Sequence, residues 1–76
     1  MSDVYDRLVR LMIEVMDMTA DEISPSATFD ELELDSLAVV ELTLAAQKAF
    51  AIQIEDDELS LDFTVEKAAS LIESKL

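Results

Sequence analysis

Apolar residues recur at helical spacing in three parts of this chain, and the intervals between them are rich in acidic and small polar residues. The first segment opens after Ser2 or Asp3, either of which can cap a helix, and its pattern fades near Asp17. Its buried face is predicted to consist of Val4, Leu8, Leu11, Met12 and Val15, with Ile13 and Met16 widening the stripe.

The second segment predicts a helix from about Ser36 to Phe50, with Asp35 or Ser36 as its N-cap. It carries two apolar stripes, which is more apolar surface than one core needs. The stripe assigned to the core is Val39, Leu42, Ala46, Ala49 and Phe50. The second stripe is Leu37, Val40 and Leu44, bordered by Glu41 and Lys48 on one side and by Thr43 and Gln47 on the other. This stripe is either a docking surface for partners or a second buried face of a central helix.

The third segment predicts a helix that starts after the N-cap Thr64 and buries Val65, Ala68, Ala69, Ile72 and Leu76. A short helix is expected around Glu55–Leu59. Residues 19–34 are predicted to form a long loop that inserts Ile23, Phe29, Leu32 and Leu34 into the core. Its acids are expected to stay in water: Asp21, Glu22, Asp30, Glu31 and Glu33. The expected fold is all-α, a small four-helix bundle of three main helices and one short helix, forming a single domain over residues 1–76.

Composition narrows the classes of function. The 76 residues include no cysteine, histidine or glycine, which argues against a disulfide framework, a thiolate or imidazole metal site, a histidine general base and a glycine-rich phosphate loop. The formal net charge of −13 argues against binding to nucleic acids or anionic membranes and suits basic partner surfaces. We therefore expect a protein that is not itself an enzyme.

The chain also shows no sign of export or membrane insertion. Asp3 and Asp6 stand where a signal peptide would be basic, and no apolar run approaches the roughly 18 residues of a membrane span. A cytoplasmic monomer is expected.

The start of the second helix carries the most specific motif. Asp35-Ser36-Leu37, followed by Val40-Glu41-Leu42 and closed by Phe50, resembles the attachment site of an acyl carrier protein. The resemblance covers the whole chain and includes the acidic segment 54–59 and the last helix after Phe63-Thr64-Val65. It implies that the hydroxyl of Ser36 accepts 4′-phosphopantetheine from coenzyme A through a phosphopantetheinyl transferase, and that the thiol of this arm carries acyl groups as thioesters. From the residues alone, Ser36 could instead be only a helix cap.

The same resemblance implies roles for the neighbouring residues. Asp35 would help the transferase to engage the serine. Four residues at the family's partner-binding positions would contact transferases, acyl-loading enzymes and synthases that have basic docking surfaces: Leu37, Val40, Glu41 and Leu44. A second acidic contact patch would be Glu55, Asp56 and Asp57, extended by Glu58. No residue is assigned a catalytic or metal-binding role, because the acids lack the ligand spacing of a calcium loop.

Several positions depart from the family pattern. Glu33 stands where glycine is frequent, Ala38 where Asp is common, and Gln47 and Lys48 where many fatty-acid carriers hold acids. These departures favour a dedicated carrier for polyketide (antibiotic) or lipopeptide biosynthesis over one for general fatty-acid biosynthesis. The alternatives are a peptidyl or aminoacyl carrier, which usually has two glycines where Glu33-Leu34 stands, and an unmodified acidic interaction module.

The small residues Ala45, Ala46 and Ala49 allow two interpretations of the core side of the second helix. They could leave room for an acyl chain between the helices, or they could permit ordinary close packing.

Overall fold

The computed structural model describes residues 3–55 and 57–76 and shows an all-helical domain. Its elements are α1 over Asp3–Met16, a 3₁₀ helix over Ala20–Glu22, α2 over Ser36–Phe50 and α3 over Val65–Ser74. Helix α1 packs against both α2 and α3 and so forms the centre of the domain. The predicted all-α class and the predicted bounds of α2 are confirmed. No described helix reaches the length and apolarity that crossing a lipid bilayer demands.

Each end of α2 has a local cause. The carboxylate of Asp35 accepts a hydrogen bond from the backbone N–H of Ala38 at 2.8 Å, so Asp35 is the N-cap. At the other end Ala51 adopts a left-handed conformation with φ 55°, and its N–H donates to the carbonyl of Gln47. Helix α3 likewise begins after Thr64, whose side chain accepts from the N–H of Lys67 at 3.0 Å, as predicted.

The buried core contains most of the predicted apolar residues, with three corrections. Val15 is 42% exposed, Leu76 is 63% exposed and Ala49 is also exposed, although all three were predicted to be buried. Each lies at or beyond the end of a helix, where fewer neighbouring elements cover it. Thr43, predicted to lie on a polar border, is buried instead, and its hydroxyl donates to the carbonyl of Val39 at 2.8 Å.

The connection between α1 and α2 is held by its own acidic side chains. Glu22 accepts hydrogen bonds from the backbone N–H and the hydroxyl of Thr19 at 3.2 and 3.0 Å. Glu31 accepts from the N–H of Thr28 at 2.9 Å, and the hydroxyl of Thr28 accepts from the N–H of Glu31 at 3.0 Å, in the manner of a capping box. These acids remain exposed, as predicted, but they also organise the backbone.

Apolar side chains of the same connection enter the core. Ile23 and Phe29 are buried, and Leu32 and Leu34 are half-buried and pack against the core cluster. The backbone then pairs with the segment that precedes α3: the N–H of Phe29 donates to the carbonyl of Phe63 at 3.0 Å. An isolated antiparallel bridge joins Thr28 and Thr64 next to it. The connection is therefore bound to both the core and the start of α3.

Two predictions fall wholly or partly outside the described residues. Ser2, a candidate cap for α1, lies outside them. The short helix expected around Glu55–Leu59 includes Asp56, which also lies outside them, so this helix stays a prediction. Of the residues described there, the N–H of Glu58 donates to the carbonyl of Glu55 at 3.1 Å within a turn.

Candidate functional site

Ser36 is the first residue of α2 and is exposed. Because the side chain of Asp35 supplies the N-cap, the hydroxyl of Ser36 is not needed for that role. The backbone N–H groups of a first helical turn have no partners within the helix, and they form the positive end of the helix dipole. The hydroxyl thus stands at a position that suits an attached phosphate group.

A cleft of about 330 Å³ opens beside this serine. Its lining is Ser36, Val39, Val40, Leu59, Ser60 and Leu61. The wall opposite α2 belongs to the segment before α3. A backbone hydrogen bond holds this segment to the connection between α1 and α2, because the N–H of Asp30 donates to the carbonyl of Leu61 at 2.9 Å. The hydroxyl of Ser60 donates to the carboxylate of Asp62. The cleft is therefore mainly apolar and starts at the candidate attachment residue.

No local sequence pattern predicts the far wall of this cleft. Ser60 and Leu61 were not predicted as site residues, because their approach to α2 depends on backbone pairing between distant segments. The alanines considered for an acyl-chain cavity do not line the cleft. Ala46 is fully buried and Ala45 is half-buried, which agrees with close packing, and Ala49 is exposed away from the cleft.

The second apolar stripe of α2 is exposed in the structure. The exposed fraction is 66% for Leu37, 39% for Val40 and 54% for Leu44. Glu41 is exposed beside these residues and is the only carboxylate within α2. The stripe therefore starts next to Ser36 and runs along the open side of the helix.

The acidic segment before α3 is partly engaged in the fold. Glu55 and Asp57 are exposed, while Asp56 lies outside the described residues. Glu58 differs from them, because its carboxylate lies 3.0 Å from the ammonium group of Lys75. It also accepts a hydrogen bond from the N–H of Glu55 at 2.9 Å. Glu58 thus fastens the acidic segment to the end of the chain.

These contacts lower the pKa of Glu58 below its ordinary value of 4.5, first through the N–H of Glu55 and then through Lys75. Since the pKa is lowered in the folded state, the ionised carboxylate stabilises the fold at a pH above 4.5. This contribution is lost as the pH falls through the lowered pKa. In Lys75→Met we expect the pKa of Glu58 to rise only part of the way to its ordinary value, because the N–H of Glu55 remains.

Carbon-detected NMR titration of the side-chain carboxyls would measure this change. Lys67→Met is the matched control, since Lys67 faces the ring of Phe63 at 4.5 Å and does not bind Glu58. The pKa of Asp62 is lowered chiefly by the hydrogen bond from Ser60 and least by Lys67, so this control should raise it slightly and leave the pKa of Glu58 unchanged. An unaltered Glu58 pKa in Lys75→Met would show that the ion pair does not form in solution.

Glu33 occupies a strained backbone position three residues before Ser36. Its φ of 65° lies in the left-handed region, where a side chain beyond glycine is unfavourable by roughly 1 kcal/mol or more. The departure from the family's glycine therefore falls at a residue whose backbone favours glycine. We expect Glu33→Gly to raise the free energy of unfolding by about 0.5–1 kcal/mol, as measured by urea denaturation.

The matched control for this change is Glu41→Gly, which also removes one exposed carboxylate. Since Glu41 lies within α2, glycine there is expected to lower the free energy of unfolding by about 1 kcal/mol. If the free energy of unfolding rises in Glu33→Gly and falls in Glu41→Gly, the difference is explained by the left-handed backbone at Glu33 and the helical backbone at Glu41. Equal destabilisation would contradict the assignment of strain to Glu33.

Comparison with known proteins agrees with this geometry. The model of a family described as "phosphopantetheine attachment site" matches residues 6–73. An acyl carrier protein of Petrotoga mobilis is 35% identical over 75 residues, which span 97% of this chain and 88% of that protein. An acyl carrier protein of Picosynechococcus sp. is 34% identical over 74 residues, which span 96% of this chain and 91% of the relative. The chain belongs to the acyl carrier protein family, whose members bear a covalently attached 4′-phosphopantetheine.

Proposed function

We propose that Ser36 is the attachment residue for 4′-phosphopantetheine and that the chain presents acyl intermediates to biosynthetic enzymes. One observation carries this proposal. At the start of α2 the side chain of Asp35 caps the helix, and the exposed hydroxyl of Ser36 is therefore available for modification. The chain has no histidine to activate that hydroxyl, so activation falls to a separate transferase.

The residues around Ser36 fit the prosthetic group. The phosphodiester would lie at the N-terminus of α2, where backbone N–H groups and the helix dipole favour negative charge. When bound, the arm supplies a thiol that holds acyl groups as thioesters. The apolar walls of the neighbouring cleft, among them Val39, Leu59 and Leu61, could shield part of the arm or a short acyl chain from water.

The docking surface in this proposal is the exposed side of α2. Leu37, Val40 and Leu44 would bury apolar surface against a partner, and Glu41 would meet a basic group on it. Asp35 would help the transferase to engage the serine. Glu55 and Asp57 are exposed and would form the second acidic contact together with Asp56.

The pathway is the most specific part of the proposal. Helix α2 carries one carboxylate and has Lys48 in its last turn, although the whole chain has a net charge of −13. Together with Glu33 and Ala38, this composition favours a dedicated polyketide or lipopeptide carrier over a carrier for general fatty-acid synthesis. We also propose that the protein acts as a cytoplasmic monomer.

The decisive experiment is intact-mass measurement after incubation with coenzyme A, Mg²⁺ and a promiscuous phosphopantetheinyl transferase. The wild-type chain is expected to gain the mass of one phosphopantetheine. Ser36→Ala is expected to gain none, and Ser60→Ala, which changes the other serine of the cleft, is expected to be modified normally. Circular dichroism would show that all three proteins are folded.

Other outcomes would overturn the assignment. A mass gain in Ser36→Ala would place the arm on another residue. A folded wild-type chain that gains no mass, while a known carrier in the same tube is modified, would favour the unmodified interaction module.

A further inference from the structure

Positive charge is concentrated at the end of α2 that lies away from Ser36. The chain has five Lys and Arg residues against 18 Asp and Glu residues. Lys48 is in the last turn of α2, and Arg7 and Arg10 of α1 lie against this end of the helix, beside Ala49. Three of the five basic residues thus occupy one region of a strongly acidic protein.

Arg7 and Arg10 line a groove of about 180 Å³ between α1 and α2, and Lys48 directly precedes Ala49 of its lining in the chain. Its lining is Arg7, Arg10, Leu11, Glu14 and Ala49, and we call it the basic groove. Leu11 and Ala49 contribute apolar surface, and Ala49 is exposed. Glu14 is the one carboxylate of the lining, so the two arginines leave the groove with net positive charge.

Arg7 fixes the geometry of the basic groove. Its Nη2 donates to the carbonyl of Ala49 at 2.9 Å, and its guanidinium lies 4.3 Å from the centre of the Phe50 ring. These contacts join α1 to the last turn of α2 and compensate a carbonyl that has no partner within the helix. Arg7 is exposed but engaged with the last turn of α2, whereas Arg10 in the groove and Lys48 next to Ala49 in the chain are exposed and can meet a ligand.

The two ends of α2 are far apart compared with the range of electrostatic interactions in salt solution. The 13 residues from Ser36 to Ala49 place them about 20 Å apart along the helix. This separation exceeds the Debye length of about 8 Å at physiological ionic strength, so the charge of one end is largely screened at the other. The surface of α2 is consequently bipolar, with Asp35 and Glu41 near its start and Lys48 near its end.

We propose that the basic groove binds an acidic segment of a partner protein, one that presents carboxylates to Arg10 and Lys48 and an apolar edge to Leu11 and Ala49. The charge of the groove selects this occupant, since a basic surface would be repelled there. A second copy of the chain is disfavoured because it would bring its whole net charge of −13 against an equal charge, whereas a short acidic segment brings only a few carboxylates to the groove. This surface goes beyond the carrier proposal, and it does not require a modified Ser36.

The test uses the unmodified full-length chain, labelled with ¹⁵N and titrated with a helical peptide that has leucines on one face and glutamates on the other. Amide shifts are expected at Arg10, Leu11 and Ala49 and should weaken in high salt. Arg10→Glu and Lys48→Glu are each expected to weaken the affinity by about tenfold or more. Lys67→Glu is the matched control, since it makes the same change in net charge on α3 and should have less than about a twofold effect.

Four results would overturn the proposal. They are an absence of shifts at the groove, equal binding of a peptide with lysines in place of the glutamates, equal weakening by Lys67→Glu, and formation of a dimer in sedimentation that displaces the peptide. Because modification of Ser36 is measured separately by mass, failure of this proposal and failure of the carrier proposal are distinguishable.

Discussion

Replacing Phe29 with alanine is expected to remove a large share of the free energy of unfolding. Its side chain is 0% exposed, although it belongs to a connection and not to a helix. Truncation of a buried phenylalanine lowers stability by about 3–5 kcal/mol, because apolar contacts are lost and a cavity remains. A domain of this length has a total stability of roughly 4–11 kcal/mol, so the loss is a large share of it. Urea denaturation followed by far-ultraviolet circular dichroism would measure the change.

Two further variants keep this prediction testable if Phe29→Ala does not fold. Phe29→Leu retains most of the apolar volume and is expected to lower stability by about 1–1.5 kcal/mol. Phe63→Ala is the matched control, because Phe63 is only half-buried and one face of its ring meets Lys67. A loss below about 1 kcal/mol in Phe29→Ala would show that the connection is not part of the core.

The helices were predictable because their determinants are local. Helix α2 has an N-cap residue at 35 and apolar residues that recur every three or four positions, and both signals act within a few residues. The pair Thr28…Glu31 also has the local spacing of a capping box, which was not among the predicted features of the connection. Reading it would have predicted an ordered turn just before the site.

The remaining features depend on tertiary structure. The far wall of the cleft exists because Asp30 pairs with Leu61, and no periodicity within either segment encodes that contact. The exposure of Val15 and Ala49 follows from where neighbouring helices stop, which helical periodicity does not include. The left-handed backbone of Glu33 likewise arises from the turn that brings the chain to α2. Local sequence patterns thus predicted Ser36 at the start of α2. The cleft beside it and the backbone conformation before it could be seen only in the three-dimensional structure.

Reversal of the charge at Glu41 is expected to slow the modification of Ser36 by about tenfold or more. Glu41 lies five residues after Ser36, about 7.5 Å further along the helix, and is the only carboxylate within α2. A transferase with a basic docking surface would lose an attraction and meet a repulsion in Glu41→Lys. Since the side chain is exposed, the free energy of unfolding should change by no more than about 0.5 kcal/mol.

The rate of mass gain at limiting transferase measures this effect, and its salt dependence identifies the cause. Glu73→Lys is the matched control, because it makes the same change in net charge on the exposed surface of α3. If local contact with Glu41 guides the enzyme, only Glu41→Lys should be slow, and the difference should shrink in high salt. Equal slowing by both variants would mean that the net charge of −13 attracts the transferase without a specific role for Glu41. Unfolding of Glu41→Lys would instead assign this residue to the stability of α2.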